Sequence, residues 1–218
     1  MEESRGAGPA HYRTIVALDI EQSTRRADPV KAELRDKLYE LFDEALRSAG
    51  IHSRHRDRFV DRGDGILALI HPVNQAPKTV LLNQVVPALR RLLAGYNEGL
   101  PRPALAGQLR VRVVVHAGEV RYDAHGCFGE ALDIAFRLLD HAHVKKTLRT
   151  GADPLALVIS GDIYRSVVRH SDEGSDRRSF EPFGYVRVAG TRHPGWIRVS
   201  GLTAQHQLIS MAGYRKPA

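Results

Sequence analysis

The sequence has almost no cysteine and no long apolar run. Its single cysteine, Cys127, excludes an internal disulfide and is typical of a protein kept in a reducing compartment. No stretch approaches the roughly 20 apolar residues needed to span a membrane, and the first residues contain no apolar segment of the signal-peptide type. We therefore expect a cytoplasmic protein without a membrane partner.

Aromatic residues are also scarce, whereas positive charge is in excess. The net charge of +7 favours polyanionic ligands, either nucleic acid or nucleotide phosphates. A sheet that binds single-stranded RNA needs exposed aromatic side chains on which bases stack. Only 6% of the residues are aromatic, and the basic residues are scattered over most of the chain. A nucleic-acid-binding module is therefore the last of the three hypotheses that we consider.

Length and patterning predict one α+β domain at 12–201, with a flexible N-terminus at 1–11 and a C-terminal tail at 202–218. The predicted order begins β-α-β-β-α-β and ends α-β-β, which indicates a ferredoxin-like core with an extension. We expect an antiparallel-rich mixed sheet with helices packed on it. The predicted strands are 14–18, 51–60, 65–70, 109–120, 155–159, 183–189 and 195–200; the predicted helices are 28–50 with Asp28 as N-cap, 78–96 with a break at Pro87, 129–140, and 161–169 capped by Ser160.

Two carboxylates stand out at the ends of predicted strands. Asp64 lies in a hairpin turn between Gly63 and Gly65, just before the apolar run 66–70, and Asp19 ends the first strand. An Asp-Gly pair alone is explained by turn formation. In a ferredoxin-like fold, however, the first strand lies beside the hairpin, so Asp19 and Asp64 can meet at one edge. Paired carboxylates suit Mg²⁺ or Mn²⁺ with a triphosphate. A metal site therefore explains Asp64 better than turn formation alone.

Four segments occur in the order found in a known family. An aspartate closes strand one, Gly-Asp fills the hairpin turn, a later strand ends in His-x-Gly-Glu, and Phe-Gly precedes a helix that carries an arginine. Together they resemble the class III nucleotide cyclase catalytic domain across residues 13–140. The segments are Val16–Thr24, Arg62–Leu69, Val113–Val120 and Phe128–Leu138.

The resemblance implies roles for individual residues. Asp19 and Asp64, with the Ile20 carbonyl, would bind two divalent cations, Mg²⁺ or Mn²⁺. Residues 20–24 would offer backbone N–H groups to the phosphates of a nucleoside triphosphate. Arg137 would come from the partner subunit of a homodimer and stabilise charge on the α-phosphate. Thr191 or Arg192 lies where the family has a triphosphate-binding lysine, and the product would be a 3′,5′-cyclic mononucleotide with pyrophosphate.

The chain departs from the family at the base-selecting positions. A lysine and an aspartate read adenine in family adenylate cyclases, but here the positions hold Val60 and Gly126. The guanine-reading pair is missing as well. The chain thus resembles the soluble cyclases of bacterial antiphage signalling, which make cyclic UMP or cyclic CMP. We group Gly63, Val60 and Gly126 with the substrate-binding positions, and either Arg62 or Tyr122 would contact the base.

Asp133 supports the remaining hypothesis. The family has a ribose-contacting asparagine at this helix position, and a carboxylate cannot donate an amide N–H. Asp133 therefore indicates either a changed sugar contact or a degenerate cyclase that senses nucleotide without turnover. Simpler interpretations also exist: Arg137 can pair on its own helix with Glu130 or Asp133, and His116 is most simply a packed core histidine.

Overall fold

One mixed sheet runs through the computed structural model, which describes residues 8–101, 107–170 and 177–198. Its strands follow the order β2-β3-β1-β4-β6-β8-β7, and β5 pairs with β4. Only β4 and β6 are parallel; the other neighbours are antiparallel. The strands are β1 (His11–Ile20), β2 (Val60–Asp61), β3 (Gly65–Ile70), β4 (Val111–Asp123), β5 (Gly126–Phe128), β6 (Leu155–Ser160), β7 (Phe180–Val188) and β8 (Thr191–Arg198).

The arrangement β2-β3-β1-β4 is the ferredoxin-like core, so the predicted fold class is confirmed. The extension contains the predicted helix, strand, helix and final hairpin, and it adds β5 and the short helix Ala142–Thr150. The helices are α1 (Asp28–Ser48), α2 (Lys78–Val80), α3 (Val86–Glu98), α4 (Glu130–Leu139), α5 (Ala142–Thr150) and α6 (Gly161–Ser166).

The sheet is covered on both faces. One apolar core holds Val113 and Val115 together with α1 and α3, whereas Val114 and Val120 belong to a second core with α4 and α5. Because both faces are buried, the central strands carry continuous apolar runs instead of alternating ones. Every residue of β3 and of β6 is buried.

Four local predictions need correction. Asp28 is the first residue of α1 and not its N-cap, which is Ala27. The predicted strand 51–60 is interrupted: Ser53–His55 forms a 3₁₀ turn, Arg56 makes an isolated bridge to Ile70, and only Val60 of this range belongs to β2. Residues 121–127, for which no strand was predicted, form the β4–β5 hairpin. Helix α5 was not predicted at all.

Other predictions are confirmed, and some lie beyond the described residues. A π-helical turn, Leu81–Val85, joins α2 to α3 just before Pro87, which has no N–H for a regular helical bond. The Ser160 side chain caps α6 through the Ile163 N–H. Most of the predicted N-terminal segment and all of the tail 202–218 fall outside the described ranges, so those boundaries stay predictions. Within these ranges, none of the helices has the length and apolar character that membrane crossing requires.

Candidate active site

The register of β1 against β3 brings the two predicted carboxylates together. Asp19 lies opposite Gly65, and the Ile20 N–H donates to the Asp64 carbonyl oxygen at 3.0 Å. A Cβ atom on Gly65 would lie 2.1 Å from the Leu18 carbonyl oxygen, so only glycine fits between the strands there. Gly63 has a φ of +80°, which glycine adopts at little cost. The turn therefore holds Asp64 against the end of β1.

Asp19 lies in an electrostatically unsatisfied position. Burial raises its pKa to about 6; the Arg112 guanidinium opposes this shift, and the neighbouring Asp64 carboxylate adds to it. Asp19 Oδ2 accepts a hydrogen bond from Arg112. Its Oδ1 is buried and has no hydrogen-bond partner among the described residues. A cation bound at Oδ1 would supply the missing partner and offset the repulsion from Asp64.

The donor set suits a hard divalent cation bound together with phosphates. Two carboxylates and the Ile20 carbonyl provide oxygen ligands, which Mg²⁺ and Mn²⁺ prefer. In the part of the chain that the structure describes, no three His, Cys, Asp or Glu side chains converge on a metal position. Magnesium commonly binds through one or two carboxylates and substrate phosphates, so the smaller set fits.

The loop after β1 has fewer amides to offer than the sequence predicted. The Ile20 N–H binds the Asp64 carbonyl oxygen, and the Glu21 N–H binds the Arg110 carbonyl oxygen at 2.8 Å. Gln22 adopts a left-handed conformation with φ 55°, which turns the chain into the 3₁₀ helix Ser23–Arg25. The candidate phosphate-binding amides are therefore those of residues 22–24.

Helix α4 presents Asp133 and Arg137 to solvent. Arg137 forms no ion pair with any described residue, so the simpler interpretation of a pair with Glu130 or Asp133 is not realised. Glu130 instead approaches His193, with 3.8 Å between Oε1 and Nε2. Arg137 lines an open cleft of about 450 Å³ with Tyr185 and other residues. Both α4 side chains are thus accessible to another molecule.

The positions expected to face the base gather near one end of the second core. Val60 is partly buried against that core, and Gly126 begins β5. The Arg62 guanidinium stacks over the Phe136 ring at 4.3 Å from its centroid. The Tyr122 hydroxyl donates to Asp57 Oδ2 at 2.5 Å, and burial together with this bond raises its pKa. Tyr122 is therefore already committed to a protein partner.

Thr191 and Arg192 lie away from the carboxylate pair. They begin β8, beside the turn of the β7–β8 hairpin, and the Arg192 guanidinium lies 4.5 Å from the centroid of Tyr185. Asp19 pairs with Arg112, whose neighbour on β6 is Ala156. Thr191 and Arg192 lie beyond Ser160 at the other end of β6, since Ser160 pairs with Gly195. Within one chain, the structure does not bring them to Asp19.

Sequence reasoning missed the charged network beside Asp19. Arg112 is only 8% exposed and contacts both Asp19 and Asp140, with 3.4 Å between Nη1 of Arg112 and Oδ1 of Asp140. Lys145 of α5 also pairs with Asp140. In the sequence, Arg110 and Arg112 only alternate with apolar residues, a pattern that predicts a strand but no partner for either arginine. The pairing of Arg112 with Asp19 could be predicted only from the register of β4 against β1, which places the two residues opposite each other.

Comparison with solved structures places this geometry in a known fold. No protein-family model matches the sequence, and no curated protein matches it either. An adenylate/guanylate cyclase/hydrolase from Silicibacter pomeroyi is similar, with 19% identity, a TM-score of 0.57 and coverage of 88% of this chain and 99% of that one. The adenylyl cyclase CyaB from P. aeruginosa has 15% identity and a TM-score of 0.54 over 90% and 98% of the two chains.

A fungal structure gives the same result. The dimeric guanylyl cyclase domain of the RhoGC fusion protein from Blastocladiella emersonii has 14% identity and a TM-score of 0.53 over 88% of this chain and 98% of that one. At such identities the likeness concerns the fold, and each of these domains is matched over nearly its whole length. The chain has the fold of the class III adenylate and guanylate cyclase catalytic domains.

Proposed function

We propose that this protein is a metal-dependent nucleotide cyclase, which converts a nucleoside triphosphate into a 3′,5′-cyclic mononucleotide and pyrophosphate. The observation that carries the proposal is the carboxylate pair. Asp19 and Asp64 lie side by side where the end of β1 meets the start of β3. The buried Oδ1 of Asp19 has no hydrogen-bond partner among the described residues. A structural pair of acids would be expected to satisfy that oxygen.

The chain's own groups account for the reaction as follows. Asp19, Asp64 and the Ile20 carbonyl hold two divalent cations, Mg²⁺ or Mn²⁺. When bound, these ions lower the pKa of the ribose 3′-hydroxyl and stabilise the charge on the departing pyrophosphate. The 3′-oxygen forms a bond to the α-phosphorus, its proton passes to solvent, and the bond to the bridging oxygen breaks. Arg137 of a second copy donates hydrogen bonds to the α-phosphate oxygens as charge accumulates there.

We further propose a pyrimidine substrate, UTP or CTP. Val60 and Gly126 offer no side-chain hydrogen bond to a purine edge. Of the two base-contacting candidates, Arg62 is the better placed, since its guanidinium stacks on Phe136 and Tyr122 is bound to Asp57. On the resemblance alone, we extend the proposal to a second-messenger role in antiphage signalling.

A nucleotide sensor without turnover is the second candidate. Asp133 adds a negative charge on the helix that would face the triphosphate, and Arg112 occupies one oxygen of Asp19. The charge of Asp133 would disfavour a bound triphosphate. The ion pair with Arg112 would also reduce catalysis if it persisted when nucleotide is bound.

The test is turnover of ATP, GTP, CTP and UTP, each alone with Mn²⁺, with products separated by chromatography. Asp64→Ala serves as the inactive variant, and Asp36→Ala, an exposed acid on α1, is the matched control. We expect one cyclic pyrimidine nucleotide from the wild type and D36A and none from D64A. A cyclic purine would keep the mechanism but contradict the base assignment. Nucleotide binding without any product would favour the sensor.

Base selection has its own test. Arg62→Ala should lower kcat/KM for the preferred triphosphate by about tenfold or more, because a charged hydrogen-bond donor to the base is lost. Tyr122→Phe keeps the ring and should change this ratio by less than about threefold. The opposite ranking of the two variants would assign the base contact to Tyr122.

A further inference from the structure

A cleft of about 230 Å³ lies beside Asp19 and is lined by four cationic side chains. Arg25 comes from the loop after β1, Arg112 from β4, and Lys145 and Arg149 from α5. The one carboxylate in the lining is Glu21. Three separate elements thus direct positive charge into one space next to the carboxylate pair.

Helix α5 is held rigidly at the edge of this cleft. Val144 and Leu148 are buried in the second core, which leaves Lys145 and Arg149, one turn apart, facing the cleft. Arg110 ties the two walls together. Its Nε donates to Glu21 at 2.9 Å, and its Nη2 donates to the Gly151 carbonyl at 2.9 Å and to the Leu148 carbonyl.

The positive charge of the cleft is only partly compensated. Glu21 is bound to Arg110, Arg112 pairs with Asp19, and Arg112 and Lys145 share Asp140. Neither Arg25 nor Arg149 forms an ion pair with a residue in the described ranges. Bringing like charges together without a counter-ion is unfavourable, so the arrangement favours a multivalent anion.

We propose that Lys145 and Arg149, together with Arg25, bind the β- and γ-phosphates of the nucleotide and then the pyrophosphate product, in the same subunit as Asp19. The inference rests on the proposed function and adds a polyphosphate clamp built from α5. A polyphosphate presents oxygens in a row, which matches cations that arrive from a loop, a strand and a helix. Because Asp19 is adjacent to the cleft, the α-phosphate end of the triphosphate would lie at the carboxylate pair.

The experiment measures binding of inorganic pyrophosphate to the full chain by calorimetry, without nucleotide. The double variant K145Q/R149Q is compared with K146Q, a change of an exposed lysine on the same helix that does not line the cleft. We expect pyrophosphate to bind the wild type and the double variant to bind it at least about tenfold more weakly, because charge-assisted contacts are lost. K146Q should stay within about twofold.

Arg25→Gln gives a second variant that leaves α5 intact, and it should weaken binding in the same direction. Equal pyrophosphate affinity in wild type, R25Q and K145Q/R149Q would overturn the inference, as would a wild type that binds no pyrophosphate. Tighter binding of a single-stranded oligonucleotide through the same cations would overturn it in favour of nucleic acid. Because this assay needs no turnover, an intact pyrophosphate site with no cyclic product would contradict only the cyclase proposal.

Discussion

At the residue scale, the carboxylate pair depends on two glycines with different roles. Gly65 allows the hairpin strand to approach Leu18 closely, whereas Gly63 supplies a positive φ with no atom near its missing Cβ. The two positions therefore respond differently to the same added methyl group.

Gly65→Ala should unfold the hairpin edge or displace Asp64, because its Cβ would overlap the Leu18 carbonyl oxygen. We expect a loss of more than about 3 kcal/mol in unfolding free energy, measured by urea denaturation. Gly63→Ala is the control and should cost only about 1 kcal/mol, the strain of a left-handed alanine. Equal costs for the two variants would contradict the close approach of the strands.

His116 gives a pH-dependent prediction. It is 2% exposed, its Nδ1 lies 2.7 Å from Ser160 Oγ, and burial lowers its pKa to about 4. The unfolded chain, with a histidine pKa of about 6.5, binds more protons between pH 6.5 and 4. The neutral, buried His116 therefore contributes its full stabilisation of the folded state above pH 6.5, and this contribution is lost as the pH falls towards 4.

Urea unfolding of the wild type and His116→Gln at pH 7 and pH 4 tests this sign. Between pH 7 and pH 4, the unfolding free energy of the wild type should fall by about 3 kcal/mol more than that of the variant. The other titrating groups are present in both proteins, so the difference isolates His116. An equal loss in both would contradict the burial of a neutral imidazole.

At the element scale, burial on both faces made some strands easy to predict. Residues 155–159 form a continuous apolar run, and its length and flanking residues identify a strand. Helix α5 was missed because only Val144 and Leu148 of its residues are buried, too few to display a helical period. The predicted strand 51–60 forms only in part. Ser53–His55 is a 3₁₀ turn, whereas Arg56 bridges to Ile70 and Val60 pairs with Leu67.

Arg56 shows how that segment is held. Its guanidinium lies 3.7 Å from the centroid of Phe59 and donates to Asp43 of α1 at 2.8 Å. Arg56→Ala should lower the unfolding free energy by about 2 kcal/mol, from the lost ring contact and ion pair. Arg58→Ala, which removes an exposed arginine, should change it by less than about 0.5 kcal/mol in thermal or urea unfolding. A reversed order would show that Arg56 is a solvated side chain.

The candidate site was partly predictable for a topological reason. The ferredoxin-like order alone sets the end of β1 beside the hairpin, so the proximity of Asp19 and Asp64 followed from element order. The Arg112 network and the basic face of α5 depend on the β1–β4 register and on a helix without a sequence signal. Such contacts between distant segments are not encoded in local periodicity.

At the scale of the whole molecule, the predicted site residues fall into two groups. Asp19 and Asp64 lie where the end of β1 meets the start of β3, whereas Arg192 lies on β8 beyond the opposite end of β6. Asp133 and Arg137 face solvent on α4. In the symmetric dimer that we propose, the second group of one subunit lies against the first group of its partner. This division supports our proposal that the active sites form between subunits.

Mixing two variants that should each be inactive is the sharpest test of the proposed active site shared between subunits. In the proposed mechanism, Asp64→Ala removes a metal ligand and Arg137→Ala removes the arginine supplied across the interface. Each variant alone should therefore be inactive with Mn²⁺ and the preferred triphosphate. A mixed dimer has one site with both residues intact, so co-expression at equal amounts should restore about a quarter of wild-type activity. A mixture no more active than its parents, with mixed dimers present, would contradict a shared cyclase site.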